Sequence, residues 1–364
     1  MKNPVRSAFV GISIVALALS GCAVQEEPDV EDEVLLVEEE VVPEDVPRHP
    51  LTGVELGAVV AEGPSIAIKI DNTSSGRPQV GIAAADLVFE ELVEGGVTRY
   101  LAVFHTAIPD EVGPVRSGRP QDADLIAPVG GVFVFSGVGN ANVREIIQAS
   151  GVVTVEHDTS SGTPAGEHFF RSSRKPAPWN LHIEAREIVE MNSGLGAPVQ
   201  QFEYRTDPSE SSAVIAGSAS ESLSAVFSSG VESSWVWDEA TEVYLKFLSD
   251  GSPDTDADGT QISATNVVVM SPNYVDVEGL PTAQVAGYSD RAYVATGGYL
   301  LEGRFDAPAS GMPTVLTDLD GNPVYLAPGK TFVLLPPGEA STAGGVKPGQ
   351  FQFEQNGELV TINL

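Results

Sequence analysis

The run Ser65-Ile66-Ala67-Ile68-Lys69-Ile70 alternates with the period of two that a strand requires, and Asp71-Asn72 followed by Ser74-Ser75-Gly76 ends it. Two apolar-rich segments, 87–92 and 97–104, flank Glu94-Gly95-Gly96 in the pattern of a hairpin. Val132-Phe133-Val134-Phe135 has no polar member, as expected of a strand covered on both faces. Asn140 or Asn142 is placed to cap a helix running to Ala149, with Ile146 and Ile147 turned inward. Gly151 stops that helix and Val152-Val153-Thr154-Val155 resumes as a strand, so strand, helix and strand predict a mixed α/β layer.

Residues 206–234 are rich in Ser, Gly and Ala and weakly patterned, which marks a junction. Beyond it the signals are nearly all β. Trp235-Val236-Trp237 and 243–247 bracket a polar turn, Asn266-Val267-Val268-Val269-Met270 resembles a buried strand, and 299–305, 314–317, 322–326, 330–335 and 358–363 follow between Gly/Pro/Asp turns. The expected fold class is therefore α+β: a mixed α/β N-terminal domain over 50–205, a Ser-rich junction at 206–234 and a β-rich C-terminal domain over 235–364. A length of 364 residues suits two such domains.

The first fifty residues follow a different logic. Lys2 and Arg6 precede an apolar run from Ala8 to Leu19 that is short for a membrane span, and Leu19-Ser20-Gly21-Cys22 ends it. Residues 1–22 thus have the form of a lipoprotein signal peptide, in which Cys22, the single cysteine, is the lipidated residue on the extracytoplasmic face of a bacterial membrane. Residues 23–49 then read as an acidic, disordered tether: eleven acidic residues lie between Ala23 and Pro47 with no basic one, and Pro28, Pro43 and Pro47 are interspersed.

The chain carries 19 basic and 51 acidic residues, a net charge of −32, which argues against nucleic acid as a partner. The base is unevenly spread: ten basic residues stand against eighteen acidic in 51–200, and six against twenty-two in 201–364. With one cysteine there is no multi-cysteine metal cage, and no cofactor is expected. Asp254-x-Asp256-x-Asp258-Gly259 opens like a calcium loop, but its twelfth position is Thr265, so an acidic hairpin turn is the stronger expectation. Gly137-Val138-Gly139 is at most an anion seat, since the third glycine of a dinucleotide fingerprint is Asn142. Ser172-x-x-Lys175 lacks the helical turn its chemistry needs, because Pro176 follows.

What stands out is arginine. Arg77, Arg99, Arg116, Arg119, Arg171 and Arg174 border Gly or Pro turns or strand ends, where guanidinium groups can clamp carboxylate or phosphate. Arg116 and Arg119, between Pro114 and Pro120, are expected on an exposed, stiff loop.

The runs Pro50-Leu51-Thr52-Gly53, Ile70-Asp71-Asn72, Arg77-Pro78-Gln79-x-Gly81, Glu94-Gly95-Gly96-x-Thr98-Arg99 and Val112-Gly113-Pro114-Val115-Arg116-Ser117-x-Arg119-Pro120 resemble the YerB-like lipoproteins, a bacterial family of unknown function. The resemblance covers essentially all of 50–364 and implies a mixed α/β domain followed by a β-rich one. Pro178-Trp179-Asn180-Leu181 stands where the family tends to have Pro-His-Asn-Leu, and Trp179, which can neither shuttle protons nor ligate metal, offers a surface to stack on a ring or cover a core instead.

Two functions are expected to compete. In one, Arg77, Arg99, Arg116 and Arg119, supported by Asp71, Asn72, Glu94 and Asn180, bind an anionic or carboxylate-bearing ligand, either a cell-wall fragment or an envelope protein. In the other, Asp71 with Glu90 or Glu94 forms a carboxylate pair that hydrolyses an envelope polymer.

Overall fold

The computed structural model describes residues 47–56, 62–309 and 311–364. Cys22, the signal peptide and nearly all of the acidic tether lie outside the described residues. The N-terminal part supplies β1 (Ile66–Asp71), β2 (Leu87–Leu92), β3 (Thr98–Phe104), β4 (Glu111–Val112), α1 (Pro120–Ile126), β5 (Val132–Phe135), α2 (Ala141–Gln148), β6 (Val153–Glu156), β7 (Phe169–Arg171), β8 (Leu181–Glu184) and α3 (Ala185–Met191). The alternating run, the hairpin and the all-apolar strand of the sequence are β1, β2–β3 and β5. Asn140 is the cap of α2, its side chain accepting from Val143 N at 3.1 Å.

Residues 203–364 form β9 (Glu203–Tyr204), α4 (Ser212–Ala216), β10 (Ser218–Ala219), β11 (Ser222–Ser228), β12 (Val231–Asp238), β13 (Val243–Phe247), β14 (Ser263–Ala264), β15 (Asn266–Met270), β16 (Tyr274–Val277), β17 (Leu280–Ala283), β18 (Tyr288–Thr296), β19 (Tyr299–Ala307), β20 (Val315–Asp318), β21 (Tyr325–Leu326), β22 (Thr331–Leu335), β23 (Gln350–Gln355) and β24 (Glu358–Asn363). A mixed α/β part is followed by a β-rich one. The Ser-rich segment 206–234 is itself structured, holding α4, β10, β11 and the start of β12. Its serines sit at alternate positions of β11, where Leu223, Ala225 and Phe227 carry the buried face.

Strands from both parts share one sheet of eleven, in the order β10-β19-β18-β15-β22-β2-β3-β1-β5-β6, with β20 paired to β19. The seam is β2 against β22, parallel, with Leu87 opposite Thr331 and Glu91 opposite Leu335. Parallel pairing also joins β15 to β22, β1 to β5 and β5 to β6, while β3 runs antiparallel between β1 and β2. Thus β1, β2, β5, β6, β15 and β22 all point the same way, and the loops after them gather at one edge.

A six-stranded sheet, β14-β13-β12-β11-β23-β24, packs on the central one. Trp235 lies 4.8 Å from Phe332 and Phe351 lies 4.7 Å from Tyr293, ring centre to ring centre. Within this dry layer Lys246 of β13 has its ammonium 3.4 Å from Asp254 and 3.8 Å from Glu90 of β2, and 5.9 Å from the Tyr100 ring. The first described residues are held at the far edge, where the parallel strands begin: Thr52 O accepts from Gly329 N at 2.7 Å and Leu51 O from Tyr204 OH at 2.7 Å.

Lys246→Ala strands two buried carboxylates and is expected to cost about 3–5 kcal/mol, as breaking a buried ion pair does. Urea unfolding followed by circular dichroism and tryptophan fluorescence measures this. A loss below about 1 kcal/mol would show that Lys246 does not hold the two layers together. Because the sheet is continuous, both probes should report one coincident transition.

Candidate functional site

At the edge where the parallel strands end, Asp71, Glu94, Arg99, Arg116 and Arg119 converge. Segment 113–118 is threaded across it. Asp71 N donates to Pro114 O at 3.0 Å, Arg116 N to Lys69 O at 2.8 Å, Ser136 N to Arg116 O at 2.9 Å and Gly118 N to Gly137 O at 2.9 Å, so the segment bridges the ends of β1 and β5. Gly118 is needed for this approach, since a Cβ there would lie 2.8 Å from Ile147 and 3.3 Å from Phe135. The Arg116/Arg119 loop is therefore not the exposed loop expected from its prolines. Its backbone is consumed by the sheet ends, and Arg119 is only 4% exposed.

Three guanidiniums meet here. Arg99 is the second residue of β3, directly opposite Asp71 of β1. Its Nη1 donates to Ser117 O at 2.8 Å and its Nη2 to Glu94 at 3.3 Å. Arg119 grips the same glutamate from the other side, with Nε 2.8 Å from Oε2 and Nη2 on Oε1, and gives Nη1 to Gly118 O at 2.7 Å. Arg116 reaches Asp71 Oδ2 with Nε at 2.6 Å and is 23% exposed. Asp71 is oriented by its own turn, Oδ1 accepting from Thr73 N at 2.7 Å and Thr73 Oγ1 at 2.6 Å. Glu94, by contrast, sits 43% exposed on the turn between β2 and β3.

A second tier of buried charge supports the first. Lys69 of β1 contacts Glu91 of β2 and lies 2.7 Å from Asp122 of α1, all three shielded from solvent. The other Asp122 oxygen accepts from Arg119 N at 2.6 Å, which starts α1 with Pro120 in its first turn. Burial pulls Lys69 down to about 8 despite Asp122, and Arg99 and Arg119 push in the same direction. Burial likewise lowers Arg99, to about 10, with Arg119 and Arg116 adding repulsion and Glu94 and Asp71 opposing it. At Glu94 burial raises the carboxyl, but the Arg119 hydrogen bonds and the charges of Arg119 and Arg99 outweigh it and hold the group at about 2.

Of the residues singled out from sequence, Arg99, Arg116, Arg119, Asp71 and Glu94 form this cluster. Arg77 and Asn72 form a neighbouring one. Arg77 donates to Asn72 Oδ1 from Nε at 3.0 Å and Nη2 at 2.8 Å, and Asn72 Nδ2 donates to Glu90 at 2.9 Å and Thr98 at 2.8 Å. Asn180 stands apart on the β7–β8 hairpin, accepting from Arg171 at 2.9 Å. Lys69, Glu91, Asp122 and the Ser117 carbonyl were not singled out: Lys69 sits at an alternating strand position, and only its opposition to two distant acids gives it a role.

The other motifs dissolve into structure. Asp254 faces Lys246, Asp256 takes the N–H groups of Gly81 at 3.1 Å and Ala83 at 3.0 Å, and Asp258 closes its own turn on Thr260 N, so the three carboxylates do not share a focus. Among the described residues no three His, Cys, Asp or Glu side chains are grouped to hold a metal. Gly137 abuts the Asp158 carboxylate, 2.1 Å from where its Cβ would be, which makes that loop a poor anion seat. A carboxylate held at about 2 is a weak general base at neutral pH, and Glu90 is buried beneath Asn72 and Thr98.

The lowered Glu94 carboxyl gives a signed expectation. Its folded-state value lies below the ordinary 4.5, so its stabilisation is complete above pH about 4.5 and is lost as pH falls toward about 2. Chemical denaturation of wild type and Glu94→Gln should show a stability gap that is constant from pH 8 to pH 5 and closes on acidification to about 2. A gap independent of pH would mean the Arg119–Glu94 pair is not ionic.

Residues 51–197 match the family described as Protein of unknown function (DUF3048) N-terminal domain, and residues 223–333 match its C-terminal domain. The "Putative lipoprotein YerB" of Bacillus subtilis (strain 168) is 28% identical over 241 residues, covering 64% of this chain and 70% of that protein. The fold is similar to the crystal structure of the YerB protein from Bacillus subtilis, with a TM-score of 0.67 and 23% identity over 80% of this chain and 97% of that one. With both of the family's parts matched in order, the chain belongs to this two-part family of proteins of unknown function.

Proposed function

We propose that this protein is a lipid-anchored, extracytoplasmic binding protein that holds an anionic, carboxylate-bearing envelope ligand at the outer ends of β1, β2 and β5. The observation that carries this is the convergence of Arg99, Arg116 and Arg119, from two chain segments, around Asp71 and Glu94 in a body that is otherwise strongly acidic. Arg116 pairs with Asp71 through Nε and stays 23% exposed, so its guanidinium is within reach of a ligand oxygen. In open sheets of parallel strands, ligands sit outside the strand carboxyl ends, and these residues occupy that position.

The anchor belongs to the sequence pattern ending at Cys22, and the similar protein's name, a lipoprotein, agrees with it. Leu51 and Thr52 are fixed at the edge where the parallel strands start. The arginines lie at the opposite edge, about 20 Å away along a six-residue strand.

The test is retention on isolated cell wall. Arg116→Ala should lower retention about tenfold or more, as the loss of a charge-assisted hydrogen bond does, while the protein stays folded but loses stability because the buried Asp71 carboxylate gives up its ion-pair partner. Retention unchanged in this variant, or a fold lost with the arginine, would overturn the assignment.

A further inference from the structure

Glu94 behaves as a guest in its own site. Among the described residues, its carboxylate at the sheet edge is both substantially exposed and gripped by two arginines, Arg119 along one edge of the guanidinium and Arg99 from the side. The turn that carries it is Glu94-Gly95-Gly96, with both glycines at positive φ, 78° and 70°. A Cβ on Gly95 would meet nothing within 4 Å, whereas Gly96 O accepts from Ser228 Oγ at 2.7 Å, so the turn is pinned at Gly96 and open at its Glu94-Gly95 end. By comparison, Asp71 is 1% exposed and its second oxygen is fixed by Thr73. One carboxylate of the cluster is built in, and the other is delivered on a hinge.

The same glutamate lines a cleft of about 570 Å³ between the two parts of the molecule, in the size range of small-ligand sites. Its walls come from loops that follow β2, β11, β16 and β22. Val93, Phe227, Val231 and Pro281 give apolar surface, and Lys347 is an exposed cation on the rim. Much of the remaining wall is bare main chain: Gly230, Gly279, Gly344 and Gly345 all face open space. Apolar side chains interleaved with uncovered peptide groups suit an extended peptide, which offers main-chain hydrogen bonds and small side chains together.

Building on the binding function proposed above, we propose that the ligand is a short peptide chain ending in a free carboxylate, and that Glu94 is its internal stand-in. The peptide lies in the cleft, its terminal carboxylate takes the place of the Glu94 carboxylate between Arg119 and Arg99, and the Glu94-Gly95 end of the turn swings the displaced glutamate outward while Gly96 stays bound to Ser228. Exchange of one carboxylate for another keeps both buried guanidiniums paired throughout, which avoids the penalty of an orphaned buried charge. It also sets affinity low until the competitor is removed, since a site occupied by its own side chain binds in proportion to the fraction that is open.

Calorimetric titration of the intact protein with a pool of N-acetyl tripeptides of Ala, Val and Leu tests this, each as the free acid and as the C-terminal amide. The free acids should bind and the amides bind at least about tenfold more weakly, and Glu94→Gln should bind the free acids about tenfold more tightly than wild type. Gln keeps the size and a hydrogen bond to Arg119, and a single cooperative melting transition, lowered only by the lost ion pair, checks that the fold survives. Equal binding of acids and amides, no gain in Glu94→Gln, or no binding of the free acids to that variant would each overturn the stand-in. Loss of cell-wall retention in Arg116→Ala alongside such a result would leave the broader binding function intact.

Discussion

Two adjacent glutamates on one fully buried strand constrain the rest of this molecule. β2 reads Leu87-Val88-Phe89-Glu90-Glu91-Leu92, and every residue of it is buried. Because successive side chains of a strand point to opposite faces, Glu90 and Glu91 deliver one negative charge to each side of the central sheet. Each must find its own cation. Lys246 arrives at Glu90 from the six-stranded sheet, and Lys69 meets Glu91 beside Asp122 of α1. Leaving either glutamate unpaired would cost several kcal/mol, so both layers that cover the sheet are tied to the same strand in a fixed register.

That requirement explains why the arginines stand where they do. Lys69 brings Asp122 to β1, Asp122 takes the main-chain N–H of Arg119, and Arg119 then projects its guanidinium over the turn that ends β2. The chain from Glu91 to Glu94 is thus closed into a ring of alternating charges through α1. The clamp on Glu94 is held by a buried scaffold, while Glu94 itself rides on Gly95, which touches nothing outside the turn, ahead of Gly96, which Ser228 holds. A stiff receptor and a loose occupant follow from the same strand.

The local elements were legible in the sequence wherever side-chain period decided them. β1, the β2–β3 hairpin, β5 and the Asn140 cap need no partner to be recognised, because alternation, a Glu-Gly-Gly turn and an uninterrupted apolar run each have a local cause. The five polar residues of the cluster were also visible, as charges beside glycine and proline turns. What local pattern does not carry is the pairing. Nothing near Lys246 announces that it serves Glu90, more than one hundred and fifty residues away, and nothing near Leu87 announces that Thr331 lies beside it. The same limit produced the exposed loop expected at Arg116–Arg119. Prolines at 114 and 120 say that the segment is stiff, but its burial depends on the free N–H and C=O groups at the ends of β1 and β5.

Shared parentage of the sheet bears on how such a site works. The β2–β22 seam holds the cleft walls from both parts on one framework, so a ligand there does not bring two bodies together; it enters a groove already formed. Preformed walls lower the ordering cost of binding and place the selectivity in the few groups that can move. Among those groups Glu94 is the one whose displacement changes the local charge. With it in place Arg99 and Arg119 are satisfied and the cluster is close to neutral; with it swung out they present a carboxylate-shaped vacancy of two guanidiniums. An anion of the wrong shape gains little from that vacancy, because a planar, two-oxygen group is what the guanidinium fork of Arg119 already holds.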